Sequence, residues 1–490
     1  MGATRNAEDR SGPARRLLLA TLCVLLLMWP ALVNRQPFYF PDTSSYVRAG
    51  DAVAHLLLGD AATTIWSPVE EAPATPERAR GNDPDAGYVM AGRSPYFGLL
   101  LWAGWVTSGF WLFVMAQALV AFWLIALALR GFGADTPRHR LLASGALGLL
   151  TPLAIYNGVL LADALAGFGI AALLVLPHAG RWERAGLVLL VLVSACSHLT
   201  HIVMMLAVAV LLVGLALLGR VGWSAVRAPI VTASAAVLVG FLSVMATSWA
   251  VEARYGSAPQ LVPLLTARIT ADGPGRDFIK AGCGGRRFAV CAIPYREWRS
   301  ADTFLWSRDP AEGAFILADA ETKARLSQED KAFAVAVARA YPLGTLGAMA
   351  WNTVLQLVDI RTDIVDARCY VDPACLGDQF PPQVTQEMAR TPAGQGAWPV
   401  RAMDAVMYAA ALASLAALAV LLPQLWRRDA EAARCLALWL GVIAVAMLVN
   451  AFLGGAVSEP QSRYQARLWW LVPLVALLAA FVARRRDVRA

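Results

Sequence analysis

Residues 110–129 read FWLFVMAQALVAFWLIALAL, a run without a charge and with one strongly polar side chain, Gln117. As a helix such a run covers about 30 Å, the thickness of a bilayer's hydrocarbon core. Working outward, nine further apolar runs lie at 17–33, 141–156, 159–177, 186–197, 202–219, 228–250, 405–423, 436–453 and 468–483. The chain of 490 residues is 58% hydrophobic and 16% charged, against roughly 25% charged in a soluble domain, and its mean hydropathy is +0.53. The pattern predicts an all-α polytopic membrane protein with about ten transmembrane helices and a large, mostly helical outer loop.

The run at 17–33 follows Arg15 and Arg16 and is longer than the core of a secretory signal. Asn34-Arg35-Gln36-Pro37 after it is a poor cleavage context, so it reads as an uncleaved first helix. The run at 186–197 is short and must borrow flanking residues. Pro95 to Val106 is shorter than a comfortable span and reads as an interfacial or re-entrant helix leading into the second one.

The net charge is +7. Most basic residues are arginines near the ends of apolar runs, a placement that topology explains and nucleic-acid binding does not. With the N-terminus in the cytoplasm, Arg5, Arg10, Arg15, Arg16, Arg130, Arg138, Arg140, Arg181, Arg184, Arg220, Arg227, Arg427, Arg428, Arg434, Arg484, Arg485, Arg486 and Arg489 all fall on the inner side. The short outer connections hold only Arg463 and Arg467. The positive-inside rule then predicts an even number of spans with both termini cytoplasmic, and the Ala/Arg-rich composition, which suggests a bacterial genome, makes the expected location a bacterial inner membrane.

The expected organisation is a cytoplasmic N-terminus and first span (1–33), a first outer loop with short interfacial helices (34–109), spans two to seven (110–250), a large outer loop (251–402), and spans eight to ten with a basic tail (403–490). The first loop has an acidic, proline-rich middle with Glu70, Glu71, Pro73, Pro76 and Pro84. Its Asp83-Pro84-Asp85 pair sits in that loop context and reads as chance. In the large loop, Leu343, Leu346, Ala350, Val354 and Leu357 share one helical face, which suits an amphipathic helix on the membrane surface. An eleventh span there would invert every later arginine cluster.

Four of the seven cysteines, Cys283, Cys291, Cys369 and Cys375, lie in the large loop. An oxidising compartment favours disulfides. The local pairs Cys283–Cys291 and Cys369–Cys375 are the simplest of three connectivities, and four free thiols are the alternative. Their spacings fit no usual zinc site.

Candidate chemistry gathers at the outer ends of spans. Phe40-Pro41-Asp42-Thr43-Ser44-Ser45-Tyr46 places Asp42 and Tyr46 one helical turn apart. Asp42 suits a general base or a metal ligand, and equally a helix cap. Asp163 lies in apolar sequence, where an ionisable group is costly and tends to be functional, although it also suits a helix start. His198 and His201 are three residues apart and suit a metal, a phosphate or a structural polar turn. Asp42, Asp163 and His198 together are of the types that ligate a divalent metal ion, the one cofactor the sequence suggests. Before the last span, Ser458-Glu459-Pro460-Gln461-Ser462-Arg463-Tyr464-Gln465-Ala466-Arg467 puts Arg463 and Arg467 on one helical face. Paired arginines recognise phosphate, or lipid headgroups. Arg93, in Gly92-Arg93-Ser94-Pro95-Tyr96, is a weaker candidate of the same kind. Among motifs with a strong mechanical reading, no Walker A, nucleophile elbow, zinc-protease motif or strand-borne GxGxxG occurs.

In this order along the chain, the motifs resemble the GT-C class of integral-membrane glycosyltransferases, which includes bacterial aminoarabinose transferases and protein O-mannosyltransferases. The matching features are Asp42 just beyond the first span, Arg93-Ser94-Pro95-Tyr96 before the second, Asp163 near an outer helix end, and Arg463-Tyr464 ahead of a last span containing Trp469-Trp470 and Pro473. The resemblance covers spans one to six and the C-terminal end; the 252–401 region matches nothing in the class.

The resemblance implies a polyprenyl-phosphate-linked sugar as donor and a cell-envelope glycan, lipid or protein as acceptor, met at the periplasmic face among membrane lipids. Asp42 would be the base that activates the acceptor. Arg463 and Arg467, with Arg93, would hold the donor phosphate. Tyr46, Asp163, His198, His201, Glu459 and Tyr464 would line the substrate site. Two other readings remain: a polysaccharide polymerase or ligase using a polyprenyl-diphosphate glycan, and a non-enzymatic flippase of lipid-linked sugars. The inner halves of the spans hold almost no ionisable groups and no internal repeat is visible, which disfavours the flippase.

Overall fold

A computed structural model describes residues 12–67, 87–91, 93–372 and 375–487. Arg5, Arg10, Arg489 and the acidic, proline-rich stretch with Asp83-Pro84-Asp85 lie outside the described residues. The chain runs through α1 (Pro13–Leu26), α2 (Trp29–Asn34), α3 (Pro41–Leu58), α4 (Pro95–Ser108), α5 (Trp111–Gly131), α6 (Pro137–Leu150), α7 (Leu153–Gly158), α8 (Asp163–Val175), α9 (Arg181–Ser197), α10 (Leu199–Leu217) and α11 (Trp223–Tyr255). The long loop contributes α12 (Leu264–Ala271), α13 (Pro274–Lys280), α14 (Ala301–Trp306), α15 (Ala320–Ala340), α16 (Pro342–Val358), α17 (Arg368–Val371) and α18 (Pro382–Met388). Then follow α19 (Val400–Arg428), α20 (Ala430–Ala451), a π-turn (Phe452–Val457), α21 (Ser462–Trp469) and α22 (Leu471–Asp487). Among the described residues no strand forms, only isolated bridges of Phe38 with Val159 and of Met90 with Gln260.

Six of the ten apolar runs become helices long and apolar enough to cross a membrane: Trp111–Gly131, Leu199–Leu217, Trp223–Tyr255, Val400–Arg428, Ala430–Val457 and Ser462–Arg484. The chain is a multi-pass membrane protein. The other four runs form helices that are short or interrupted, for local reasons. The first breaks between α1 and α2, where Pro30 opens the second helix and has no N–H to continue the first. The Leu27 carbonyl freed there accepts from Asn157 Nδ2 (2.8 Å), and Trp29 Nε1 donates to the Gly148 carbonyl (2.9 Å). The third breaks at Thr151-Pro152 between α6 and α7. The fourth folds as α8, with all of its positions buried. A helix apolar on every side belongs in the centre of a bundle, and α8 needs no full membrane thickness there. The fifth is α9, 17 residues long. Gln117, the polar residue of α5, is also used at a break: its Nε2 donates to the Asn157 carbonyl (3.1 Å).

Two hydrophobic cores result. The larger fills the bundle and takes in Ile360, Val365, Phe380 and Trp398 from the second half of the long loop. The smaller gathers Phe278, Phe288, Trp298, Phe304, Phe315 and Phe333 from the earlier part of the loop, with Tyr88 from the segment before α4. The region 251–402 therefore has two parts, one with its own core and one laid on the bundle. Both local disulfides form, Cys283–Cys291 in the first part and Cys369–Cys375 in the second. Cys23, Cys196 and Cys435 are free.

Between these parts α15 and α16 meet at a bend of 114°. In α16 the polar residues Thr345, Asn352 and Gln356 are buried, while Leu343 is 86% and Trp351 62% exposed. This is the reverse of a helix on a water-soluble domain and the pattern of one that lies against lipid.

Close backbone contact sets the geometry at the loop end of the bundle. Helices α3 and α4 cross at Gly50 and Gly98, where a Cβ on Gly98 would stand 2.7 Å from the Gly50 nitrogen and one on Gly50 2.7 Å from the Leu99 nitrogen. Phe38 accepts from the Leu160 N–H (3.0 Å) and donates to Gly158 (2.8 Å), and Thr43 Oγ1 donates to the Leu160 carbonyl (3.0 Å). These bonds bring the start of α3 beside the start of α8.

The Gly98→Ala variant is expected to lower the thermal unfolding midpoint of the detergent-purified chain, by roughly 1–3 kcal/mol of overpacking. Gly441→Ala, in α20 with no atom within 4 Å of its added Cβ, is the control and should leave the midpoint unchanged or slightly raised. Equal midpoints for the two variants would contradict the close crossing of α3 and α4.

Candidate functional site

Asp42 occupies the first turn of α3, whose start is fixed by Pro41 and by the Phe40 N–H donating to Thr43 Oγ1 (3.1 Å). Thr43, not Asp42, makes the capping bond, so the Asp42 carboxylate is free to face the bundle. It meets two arginines from distant parts of the chain. Arg93 Nη2 donates to Oδ1 at 2.5 Å and Arg463 Nη1 to Oδ2 at 3.0 Å. The side chains of Asp42, Arg93 and Arg463 retain 18%, 35% and 10% exposure, so the cluster is open on one side.

The group of two guanidinium charges and one carboxylate carries a net positive charge of its own. Burial pushes the Asp42 carboxyl up, but the charges of Arg93 and Arg463 and their hydrogen bonds outweigh it and hold the group below its ordinary value. Aromatic rings frame the surplus. The Arg463 guanidinium lies 4.3 Å from the centre of the Phe40 ring and 4.8 Å from that of Tyr464, and Arg93 lies 6.0 Å from Tyr46. Arg463 Nε donates to Gln461 Oε1 (2.8 Å) and its Nη2 to the Tyr464 hydroxyl (3.2 Å).

A second cluster sits one helical turn along α21. Arg467 Nη1 donates to Asp163 Oδ1 (2.9 Å), and Nη2 to Asn450 Oδ1 (2.6 Å) and Thr200 Oγ1 (3.3 Å). Arg467 and Asp163 are 1% and 7% exposed. Arg467 and Asp163, at the start of α8, are therefore a buried, hydrogen-bonded ion pair. His198 accepts at Nδ1 from the Thr200 N–H (3.2 Å), and the fully buried His201 bonds through Nδ1 to the Ser194 carbonyl (2.9 Å). The two rings lie 5.4 Å apart. Tyr464 stands between the clusters, with Arg467 5.5 Å from its ring centre.

The structure thus brings Asp42, Tyr46, Arg93, Arg463 and Tyr464 together, and sets Asp163, His198, His201 and Arg467 into the neighbouring buried cluster. Glu459 turns elsewhere. Both its oxygens accept from Ser300 Oγ (3.1 and 3.0 Å) and one from the Asp302 N–H (2.6 Å), which caps α14 of the smaller core. Asp302 itself was not visible as a site residue in the sequence. Burial, then the charge of Glu459, push its carboxyl up, and the charges of Arg463 and Asp42 also reach it. Asn450 and Thr200, partners of Arg467, carried no signal beyond being polar residues in or beside apolar runs.

The donor set for a divalent metal does not converge. Among the described residues no group of three or more His, Cys, Asp or Glu side chains could hold one ion. Asp42 and Asp163 are each occupied by guanidinium groups, which a cation would have to displace.

Removing one member of a buried ion pair leaves an uncompensated charge and costs about 3–5 kcal/mol. Asp163→Ala should therefore sharply lower the unfolding midpoint and the yield of folded protein. Asp42→Ala, which leaves Arg93 partly exposed and Arg463 still bonded to Gln461 and Tyr464, should change both less. Equal losses in the two variants would contradict the division into a buried structural pair and an open site.

No protein-family model matches this chain, and no curated protein matches it. Among solved structures it is similar to the crystal structure of ArnT from Cupriavidus metallidurans bound to undecaprenyl phosphate, at 13% identity over 97% of this chain and 79% of that chain, with a TM-score of 0.32. A superposition that loose carries no argument about the chemistry of this chain.

Proposed function

We propose that the protein is a membrane glycosyltransferase that moves a sugar from a polyprenyl-phosphate donor to a hydroxyl of a cell-envelope acceptor at the periplasmic face of the bacterial inner membrane. The observation that carries this reading is the Asp42 carboxylate held between Arg93 and Arg463 in a partly open, aromatic-framed site. The surplus positive charge fits an anion. Its place beside the spans of a multi-pass membrane protein fits an anion carried on a lipid.

With Arg467 committed to Asp163, two guanidinium groups remain. That number suits one monophosphate better than a diphosphate, and favours a monophosphate donor over the diphosphate-linked glycan of a polymerase or ligase.

In this reading Arg93 and Arg463 have two successive partners. Before the donor binds they neutralise Asp42. When the phosphate enters, its oxygens compete for the same N–H groups, and Asp42 loses part of the field that keeps its carboxyl low. The carboxylate becomes more basic when an acceptor hydroxyl is to be deprotonated. The hydroxyl oxygen then attacks the anomeric carbon, the sugar–phosphate bond breaks, its electron pair leaves with the phosphate, and the two arginines take up the developing charge. A single displacement of this kind inverts the anomeric centre.

Asp42→Asn should reduce transfer at least ~100-fold, the usual contribution of a positioned general base, while donor binding and folded yield persist. Full transfer by that variant would refute the assignment.

The pH dependence follows from the same geometry. With Asp42 held low in the free protein, the acid limb of kcat/KM should lie at low pH. With the arginines on the donor phosphate, the carboxyl rises, so the acid limb of kcat should lie at higher pH than that of kcat/KM. Coincident limbs would contradict the exchange of partners.

A further inference from the structure

The buried face of α16 leads directly into the cationic site. The Gln356 side chain is fully buried. Its Nε2 donates to the Gln461 carbonyl (2.8 Å) and its Oε1 accepts from the Gln461 N–H (2.8 Å), so a single side-chain amide satisfies both main-chain groups of one residue. Gln461 in turn accepts from Arg463 Nε through Oε1 (2.8 Å), which leaves Arg463 Nη1 directed at Asp42. The seat around Gln356 is tight. A Cβ on Gly455 would stand 2.8 Å from the Asn352 carbonyl carbon and 3.0 Å from Gln356 Cβ. At its other edge Asn352 Nδ2 donates to Asp272 Oδ1 (2.8 Å), which pairs with Arg268 at 2.5 Å.

We propose that Gln356 is a positioning residue for Arg463: by gripping the main chain of Gln461 it fixes the side chain that holds Arg463 Nε, and so sets the guanidinium at the distance from Asp42 at which it can take a donor phosphate. This rests on the reading of Arg463 as a phosphate ligand. Main-chain N–H and C=O groups away from water need partners; the first turn of α21 supplies one for the Gln461 carbonyl, the Tyr464 N–H (3.1 Å), but none for the Gln461 N–H, which bonds to Gln356 instead. The bonding of one amide to both groups also fixes direction, which a single bond or an apolar contact would not.

The lever is long. Gln356 lies near the C-terminal end of α16, whose other face exposes Leu343, Leu346, Trp351 and Val354. Helix α16 packs against α20 and the π-turn after it, where Leu448 and Phe452 are also exposed. Helix α16 and Arg463 are therefore linked through the Gln356 and Gln461 side chains.

The test uses the full chain in lipid nanodiscs, with Gln356→Met (similar length, no hydrogen bonds), Arg463→Ala and the double variant. Two readouts are taken: amide hydrogen exchange at residues 461–464 without ligand, and affinity for a short-chain polyprenyl monophosphate. In Gln356→Met the Gln461 amide should exchange faster, and affinity should fall roughly tenfold in the wild-type background but hardly at all with Arg463→Ala, the signature of coupled residues. Unchanged exchange at Gln461 would overturn the proposal. So would an affinity loss of equal size in both backgrounds, since Gln356 would then act only on general stability. Wild-type protein that binds no polyprenyl monophosphate would defeat the transferase reading itself; the positioning of Gln461 would then stand or fall on the exchange result.

Discussion

The buried pair of Arg467 with Asp163 is the interaction on which the rest of the site depends. An arginine beside the apolar core cannot remain unpaired, since burial of a lone charge costs many kcal/mol. Asp163 meets that requirement from the first turn of α8, and Asn450 and Thr200 both accept from Arg467 Nη2. Four elements are thereby tied at one point: α8, α10, α20 and α21. Helix geometry then does the rest. Arg463 lies one turn earlier on α21, on the same face but nearer the helix start, and so reaches the open edge of the bundle. One arginine is closed in with Asp163, and the other meets Asp42 beside Arg93.

The second constraint is the crossing of α3 and α4. Asp42 and Arg93 each precede or begin a helix, and those helices touch backbone to backbone at Gly50 and Gly98. The separation of the two helix starts is fixed by main chain, and the side chains at those starts need only short reaches to meet. Arg463 arrives from the other end of the sequence, through α16 and the Gln461 turn. The site is thus assembled from three supports, none of which contacts Asp42 through a flexible loop alone.

Much of this was legible in the sequence, for physical reasons that can be named. Each apolar run became helix, because a hydrocarbon environment leaves a spanning backbone no other way to satisfy its N–H and C=O groups. Asp42, Arg93, Arg463 and Tyr464 stand out as polar groups where helices begin, and the structure brings them together. The interrupted helices were less visible. Pro30 and Pro152 are breakers in plain view, yet hydropathy summed over a run does not register them, nor the side chains of Trp29 and Asn157 that satisfy the broken ends. The roles of Glu459, Gln356 and Asn450 were not legible, because each depends on a partner 14 to 159 residues away. A glutamine in an amphipathic helix carries no mark of which main chain it will bind.

On the proposed function, the surplus charge beside Asp42 receives a single phosphate carried on a lipid. The most direct measurement compares binding of three short-chain ligands to the wild-type chain in nanodiscs: a polyprenyl-monophosphate sugar, the matching polyprenyl-diphosphate sugar, and the phosphate-free polyprenol. The monophosphate should bind tightest and the polyprenol weakly, with the monophosphate's advantage reduced at high ionic strength. Preference for the diphosphate, or equal binding of all three, would contradict it.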